Sequence, residues 1–210
     1  MKKLLLSLTL LAGLSTATLA QDKPVSFGVK AGAAFPNMTF SSSGLSASLK
    51  SNPSFYVGGT VDVSLGNIFS VQPGLTLIGK GTKFSETDGN QTAAIKISNM
   101  YLELPVNLMA NFAVGPGKIF IGAGPYYSMA LSGKYKVSMD GLSEEEDVDF
   151  SSDGDFKRGD FGLNFLAGYQ LTSGLNVHAG YGLGLSDISQ NSGGVTTKNK
   201  VFSVGLGFSL

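Results

Sequence analysis

Few side chains in this sequence are equipped for chemistry. His178 is the only histidine, and there is no cysteine. As a general base, a lone imidazole would need a nucleophile and an orienting carboxylate within hydrogen-bond reach. Ser186 and Asp187 follow it at a distance, and the spacing alone assembles no Ser–His–Asp arrangement. Asn176 or Asp160 would instead hold the ring as a structural group. No catalytic residue is therefore expected, and the chain reads as non-enzymatic. The absence of cysteine also removes disulfides and cysteine-ligated metals. No cofactor is expected.

Two sets of charged residues remain. Asp140, Glu144, Glu145, Glu146, Asp147, Asp149, Asp153 and Asp155 crowd between residues 138 and 158, followed by Lys157 and the only arginine, Arg158. Oxygen-rich loops of this kind can hold Ca²⁺. The run Asp147-Val148-Asp149-Phe150-Ser151 lacks the glycine and closing glutamate of an EF-hand loop, so a solvated, mobile, self-repelling segment is the plainer expectation. The other set is sparse. Lys30, Asp62, Lys80, Glu103 and Asp160, with Lys118, stand singly inside apolar alternating segments. What they do depends on the elements that carry them.

Composition narrows those elements. Of 210 residues 29 are glycine, and only 14% are charged, against about 7% and about 25% in average proteins. With mean hydropathy at +0.17, disorder is excluded, because it needs low hydrophobicity and high net charge. Net charge is zero and the basic residues are scattered, so a nucleic-acid partner is not expected. Residues 1–20 read as a cleaved signal peptide: Lys2 and Lys3, then apolar Leu4 to Leu14, then the small-residue site Thr18-Leu19-Ala20. Its apolar stretch would rise only ~16 Å as a helix, too short to span a bilayer. Cleavage leaves residues 21–210 as one domain.

From Val25 onward the pattern is alternation, the mark of strands with unlike faces. Phe202, Val204, Leu206 and Phe208 share one face; Ser203, Gly205, Gly207 and Ser209 share the other. Seven earlier segments repeat the scheme: Val25–Phe35, Phe55–Leu65, Phe69–Lys83, Met100–Phe112, Ile119–Val137, Asp160–Leu171 and Leu175–Leu185. Short connections at 66–68, 114–117 and 172–174 alternate with long ones near 36–54, 85–98, 138–158 and 187–198. All short turns then lie at one end. Pro73, Pro105 and Pro125 fall inside strands, where each removes a ladder hydrogen bond, and bulges are expected there.

A meander of eight long strands closes into an up-and-down barrel without free edges. Composition settles which face is inside. The less apolar face is Gly, Ser, Asn and Thr with isolated charges, a poor solvated exterior but a good filling for a narrow lumen. About 12 residues per strand at ~3.3 Å, tilted ~40°, give a wall ~30 Å tall, enough for a lipid-facing band of ~25 Å. Aromatics near segment ends (Phe55, Phe69, Tyr101, Phe112, Phe161, Tyr169, Tyr181, Phe202) suit an interfacial girdle. The fold class expected is all-β: an eight-stranded antiparallel up-and-down transmembrane β-barrel. Lys30, Asp62, Lys80, Glu103, Asp160 and His178 then point into the lumen. Paired, the charges form a plug; unpaired along one wall, they line a pore.

The runs Ser70-Val71-Gln72-Pro73-Gly74-Leu75 with Lys80-Gly81, Tyr101-Leu102-Glu103-Leu104-Pro105 and Gly122-Ala123-Gly124-Pro125-Tyr126 resemble the small outer-membrane β-barrel family of Bacteroidota, the porin-family or PorT-like barrels. Gly162 with Gly168-Tyr169 and the Gly205-Leu206-Gly207-Phe208 ending are similar too. The likeness covers the whole mature chain and rests on the order of short motifs. It implies a location in the Gram-negative outer membrane, and the even strand number puts both termini in the periplasm. Expected partners are outer-membrane lipid and lipopolysaccharide; bridging of its phosphates through divalent ions is the alternative to a solvated acidic loop. Periplasmic chaperones and the barrel-assembly machinery would serve biogenesis, and a larger outer-membrane complex is a further candidate partner. The leading functional expectation is a scaffold or surface-contact protein with a filled lumen. A narrow passive channel for small solutes is the alternative, and a lipid-modifying or proteolytic barrel the third.

Overall fold

The computed structural model describes residues 25–42, 45–88, 91–139, 142–151, 154–190 and 194–210. The expected signal peptide, Asp140 and Asp153 lie outside them. Ten strands form: β1 (Val25–Ser42), β2 (Leu45–Ser48), β3 (Ser54–Ser64), β4 (Phe69–Asp88), β5 (Gln91–Val114), β6 (Gly117–Met139), β7 (Leu142–Asp147), β8 (Gly159–Leu171), β9 (Leu175–Gly184) and β10 (Thr196–Ser209). Eight of them, all but β2 and β7, pair with their chain neighbours in antiparallel order, and β10 closes on β1 from Gly28↔Ser209 to Ser41↔Thr196. The result is the expected meander barrel. β2 and β7 add to β1 and β6 at the long-loop end.

Three tight turns gather at the opposite end. The tightest is Gly115-Pro116, between the paired residues Val114 and Gly117, where Gly115 takes φ +58°. A two-residue hairpin turn needs positive φ at its first position, which glycine adopts without strain, while proline fixes the next.

The alternation read from sequence holds around the ring. Val29, Val57, Leu75, Leu104, Ile121, Phe165, Val177 and Leu206 are exposed outward. Lys80, Glu103, Asn107, Ser128 and Asp160 are buried inward. One aromatic departs: Tyr101 is fully buried on the inner face, so it is no member of the girdle.

The prolines do not bulge their strands. Register is the same on both sides of each: Pro73↔Val106 then Thr76↔Glu103, and Pro105↔Tyr126 then Leu108↔Ala123. Each proline interrupts the ladder locally because its N–H is missing, but no residue is inserted, so the facing is kept. The one register shift on the β5–β6 ladder falls between Met100 and Tyr101, opposite Ala130 and Ser132, and leaves Leu131 as the extra residue.

The long-loop end is more ordered than expected. β4 and β5 pair out to Asp88↔Gln91, so the hairpin tip, not a loop spanning 85–98, joins them. β6 runs to Met139 and returns as β7. β4, β5, β6 and β7 thus continue above the outward apolar band as a four-stranded sheet. Here the alternation continues with its polarity reversed: Lys83, Lys96 and Lys136 stand outward, and Phe84, Ile95, Ile97, Tyr135 and Val137 face the other way.

Over the mouth, Met38, Ile97, Val148, Phe156 and Ile188 bury one another, with Phe40, Tyr135 and Phe150 packed alongside. The segment expected as a mobile acidic loop therefore supplies Val148, Phe150 and Phe156 to the cap. Val148 N–H donates to Gly133 O (3.0 Å) and Lys157 N–H to Ile188 O (2.7 Å), tying that segment to the barrel and to the next loop.

Inward glycines make room for large rings. A Cβ at Gly32 would stand 2.8 Å from Tyr56 Cε1, and one at Gly162 2.7 Å from the Tyr126 ring. Small residues opposite large ones fill a narrow interior at native density.

Candidate functional site

The centre of the lumen is built from strands on several sides of the barrel. Glu103 (β5), Ser128 (β6) and Asp160 (β8) stand in one cross-strand row, since Glu103 pairs with Ser128 and Ser128 with Asp160. Lys80 on β4 reaches this row. Its Nζ donates to Glu103 Oε2 (2.9 Å), Asp160 Oδ2 (3.0 Å) and Ser128 Oγ (3.0 Å). An ammonium has three N–H donors, and all three are used. The Tyr126 ring lies 4.3 Å and the Tyr101 ring 5.1 Å from Nζ, close enough for cation–π attraction.

Neutral groups complete the carboxylates. Asp160 Oδ2 also accepts from Asn199 Nδ2 (3.1 Å) and Tyr126 O–H (3.3 Å), and its Oδ1 from Ser186 O–H (3.1 Å). Asn164 Nδ2 donates to Glu103 Oε1 (3.0 Å). Lys80 is only 2% exposed and Asp160 not at all. Charges so placed persist only when paired and fully hydrogen-bonded.

Below this centre a cavity of about 140 Å³ runs toward the short-turn end, lined among others by Lys30, Asp62, Lys118, Gln170, Asn176 and His178. At ~10–15 Å³ per water centre, it has room for several waters. Asp62 Oδ2 accepts from Ser70 O–H (3.1 Å) and Gln72 Nε2 (3.2 Å). Lys30 faces the cavity. His178 Nδ1–H donates to Asn176 Oδ1 (2.9 Å), and Tyr56 O–H donates to Nε2 (2.7 Å). Ser186 is turned to Asp160 and away from His178, and Asp187 accepts from Ser189 and Thr197.

Of the six inward residues singled out in the sequence, three converge and three do not: Lys80, Glu103 and Asp160 meet, while Lys30, Asp62 and His178 lie apart along the cavity. The neutral partners Ser128, Asn164 and Asn199 were visible only as inward positions, without a sign that they would converge. The acidic set is dispersed. Glu144, Glu145, Glu146 and Asp147 are strung along β7, with Glu145 in an ion pair with Lys134. Asp149 caps Ser151 N–H (2.8 Å), and Asp155 accepts from Asp149 N–H (3.2 Å). Among the described residues, no three ligating side chains come together to hold a metal ion.

Among the described residues outside the membrane-spanning wall, two carboxyl groups are perturbed. The Lys134 hydrogen bond and charge hold Glu145 below its ordinary value. At Asp187 burial works against ionisation, but bonds from Ser189 O–H and from the Thr197 and Ser189 N–H groups, with Lys157 nearby, outweigh it and keep its pKa low.

Solved structures of similar shape include three bacterial surface proteins. Ail, the attachment invasion locus protein of Yersinia pestis, is 15% identical, with 88% of this chain and 98% of that one covered at a TM-score of 0.43. Neisserial surface protein A is 17% identical over 89% and 99%, at 0.43. OprG from Pseudomonas aeruginosa is 15% identical over 88% and 95%, at 0.44. At such scores no property of this chain rests on these likenesses. No curated protein matches the chain in sequence. The family model described as the outer membrane protein beta-barrel domain matches residues 19–190, and the chain belongs to that family of outer-membrane β-barrels.

Proposed function

We propose that this outer-membrane protein is a closed, non-enzymatic scaffold that presents its outer strands and loops at the cell surface, with both termini in the periplasm. The observation that carries the reading is the Lys80–Glu103–Asp160 centre, which ties β4, β5 and β8 across the lumen with every ammonium donor used. A plug so satisfied closes the lumen above the cavity that Lys30, Asp62 and Lys118 line. The apolar cap above it, from Met38 to Ile188, obstructs the outer mouth a second time. His178, held between Tyr56 and Asn176, has no serine or carboxylate in hydrogen-bond contact, which supports a structural role. The order of the proline- and glycine-bearing strand motifs favours the Bacteroidota, PorT-like branch. Biogenesis through periplasmic chaperones and the barrel-assembly machinery goes with that placement.

Planar-bilayer recording tests the plug. Wild-type protein should give a quiet baseline, and Lys80→Ala, which removes the side chain that crosses the lumen, should give single-channel steps. Steady steps from the wild type would overturn the reading in favour of a narrow channel. A channel is the second reading, because the cavity already reaches from the short-turn rim to the charge centre.

A further inference from the structure

The outward face of the sheet above the apolar band carries an arrangement that the barrel itself does not require. Register places Lys83 (β4) opposite Lys96 (β5), and Lys96 opposite Lys136 (β6). Lys50 forms an isolated bridge with Lys83, exchanging both backbone hydrogen bonds, so it extends the row. Four lysines therefore stand side by side, at strand spacings of about 4.8 Å. All four are exposed, as is Lys134 two residues below Lys136 on the same face. Thr82, Ile97 and Tyr135, the chain neighbours of three of them, turn the other way, toward the cap.

Like charges directly opposite in a sheet are destabilising. Here the repulsion has no acid within the row until Glu145 on β7, and Glu145 is taken by Lys134. Position is the second observation. Downward from the row on the outward face come Gly81, Ser98 and Lys134, then Gly79, Met100 and Ser132, and the apolar wall begins with Leu77, Leu102, Met129 and Leu131. The lysine row thus stands two residue layers above the apolar wall, on the headgroup side of the acyl chains.

We infer that Lys50, Lys83, Lys96 and Lys136, flanked by Lys134, bind the phosphorylated headgroup of an outer-leaflet glycolipid whose acyl chains pack on the apolar wall beneath. Ammonium–phosphate hydrogen bonds are charge-assisted, and basic clusters at the edge of an apolar span recognise anionic headgroups. A row of lysines about 15 Å long matches two phosphates borne on one disaccharide better than a single phosphate. The site uses the same long-loops-outward orientation as the scaffold reading but not its plug.

The test uses the full folded chain in phosphatidylcholine nanodiscs. Three additions are compared: lipid A with both phosphates, dephosphorylated lipid A, and inorganic phosphate. Wild-type protein should retain bisphosphorylated lipid A, with affinity falling as salt rises. The triple variant Lys83→Gln, Lys96→Gln, Lys136→Gln should bind it at least tenfold more weakly. Lys157→Gln with Lys198→Gln, a smaller charge change away from the row, should leave binding unchanged. Folding of each variant is checked by its shift on a gel before and after boiling. Equal binding by the triple variant overturns the inference. So does equal retention of dephosphorylated lipid A, which would assign the affinity to acyl contacts, or displacement by inorganic phosphate at equal concentration. Labelling of a Ser143→Cys variant on intact cells tests orientation separately, since nanodisc binding does not depend on it.

Discussion

Lys80 and Lys83 are three residues apart on β4 and meet opposite conditions. An odd separation on a strand sends them to opposite faces. Lys80 points into the lumen, where two carboxylates, a hydroxyl and two tyrosine rings surround it. Lys83 points out of the sheet, where its cross-strand neighbours are Lys50 and Lys96. One charge is fully answered by its own chain and the other is opposed by it. The difference separates structural charge from charge available to a ligand.

Neutralising each lysine tests that separation most directly. Lys80→Met would leave Glu103 and Asp160 as buried carboxylates without a cation, and breaking a buried pair in this way costs about 3–5 kcal/mol. Lys83→Met should change stability by no more than about 0.5 kcal/mol, because the site is exposed and its neighbours repel it. Urea unfolding in lipid vesicles, followed by gel mobility, measures both. Similar losses in the two variants would erase the distinction between the faces.

How far the sequence foretold this contrast depends on the length scale. Period-two alternation put Lys80, Glu103 and Asp160 inside, because each stands among Gly, Ser, Asn and Thr on the face away from the valines and leucines. It could not say that they meet. Lys80 is directly paired with Asn99, and Glu103 with Thr76; their contact arises from barrel closure and side-chain reach. The lysine row was hidden for a related reason. Lys50, Lys83, Lys96 and Lys136 look scattered along the chain, and only register lines them up. Tyr101 stands near a segment end like the girdle aromatics, but its parity with Glu103 sends it to the inner face. Strand extension beyond the wall is masked because the apolar face there is reversed, with Phe84, Ile95 and Val137 opposite the outward lysines.

A smaller effect is expected at the cap, which is buried like the lumen centre but is held by apolar contacts. Ile188 is fully buried against Met38, Ile97 and Phe156. Ile188→Ala should cost about 2 kcal/mol or somewhat more at a site with little room to collapse. The loss should be confined to the outer mouth: faster protease cleavage between residues 148 and 158, with the vesicle unfolding midpoint of the barrel nearly unchanged. If barrel and cap lose stability together, they form a single cooperative unit and the two regions differ less than their chemistry implies.

The smallest effect concerns the acid that fastens this cap. Asp187 Oδ1 accepts from Ser189 O–H (2.6 Å), Ser189 N–H (3.1 Å) and Thr197 N–H (2.8 Å), joining the loop after β9 to the start of β10. Its pKa in the folded chain lies below the ordinary 3.8. A depressed folded value means that the ionised form is favoured by folding, so the contribution is complete above the unfolded pKa. It is lost as pH falls below about 4 and through the folded value. Amide exchange at Ser189 and Thr197, corrected for intrinsic rates, should therefore stay level from neutral pH to about 4 and accelerate below it. Asp187→Asn should exchange faster at neutral pH and lose the acid-dependent step, because the amide accepts more weakly and does not titrate. An acid step that persists in Asp187→Asn would assign the fastening to another group.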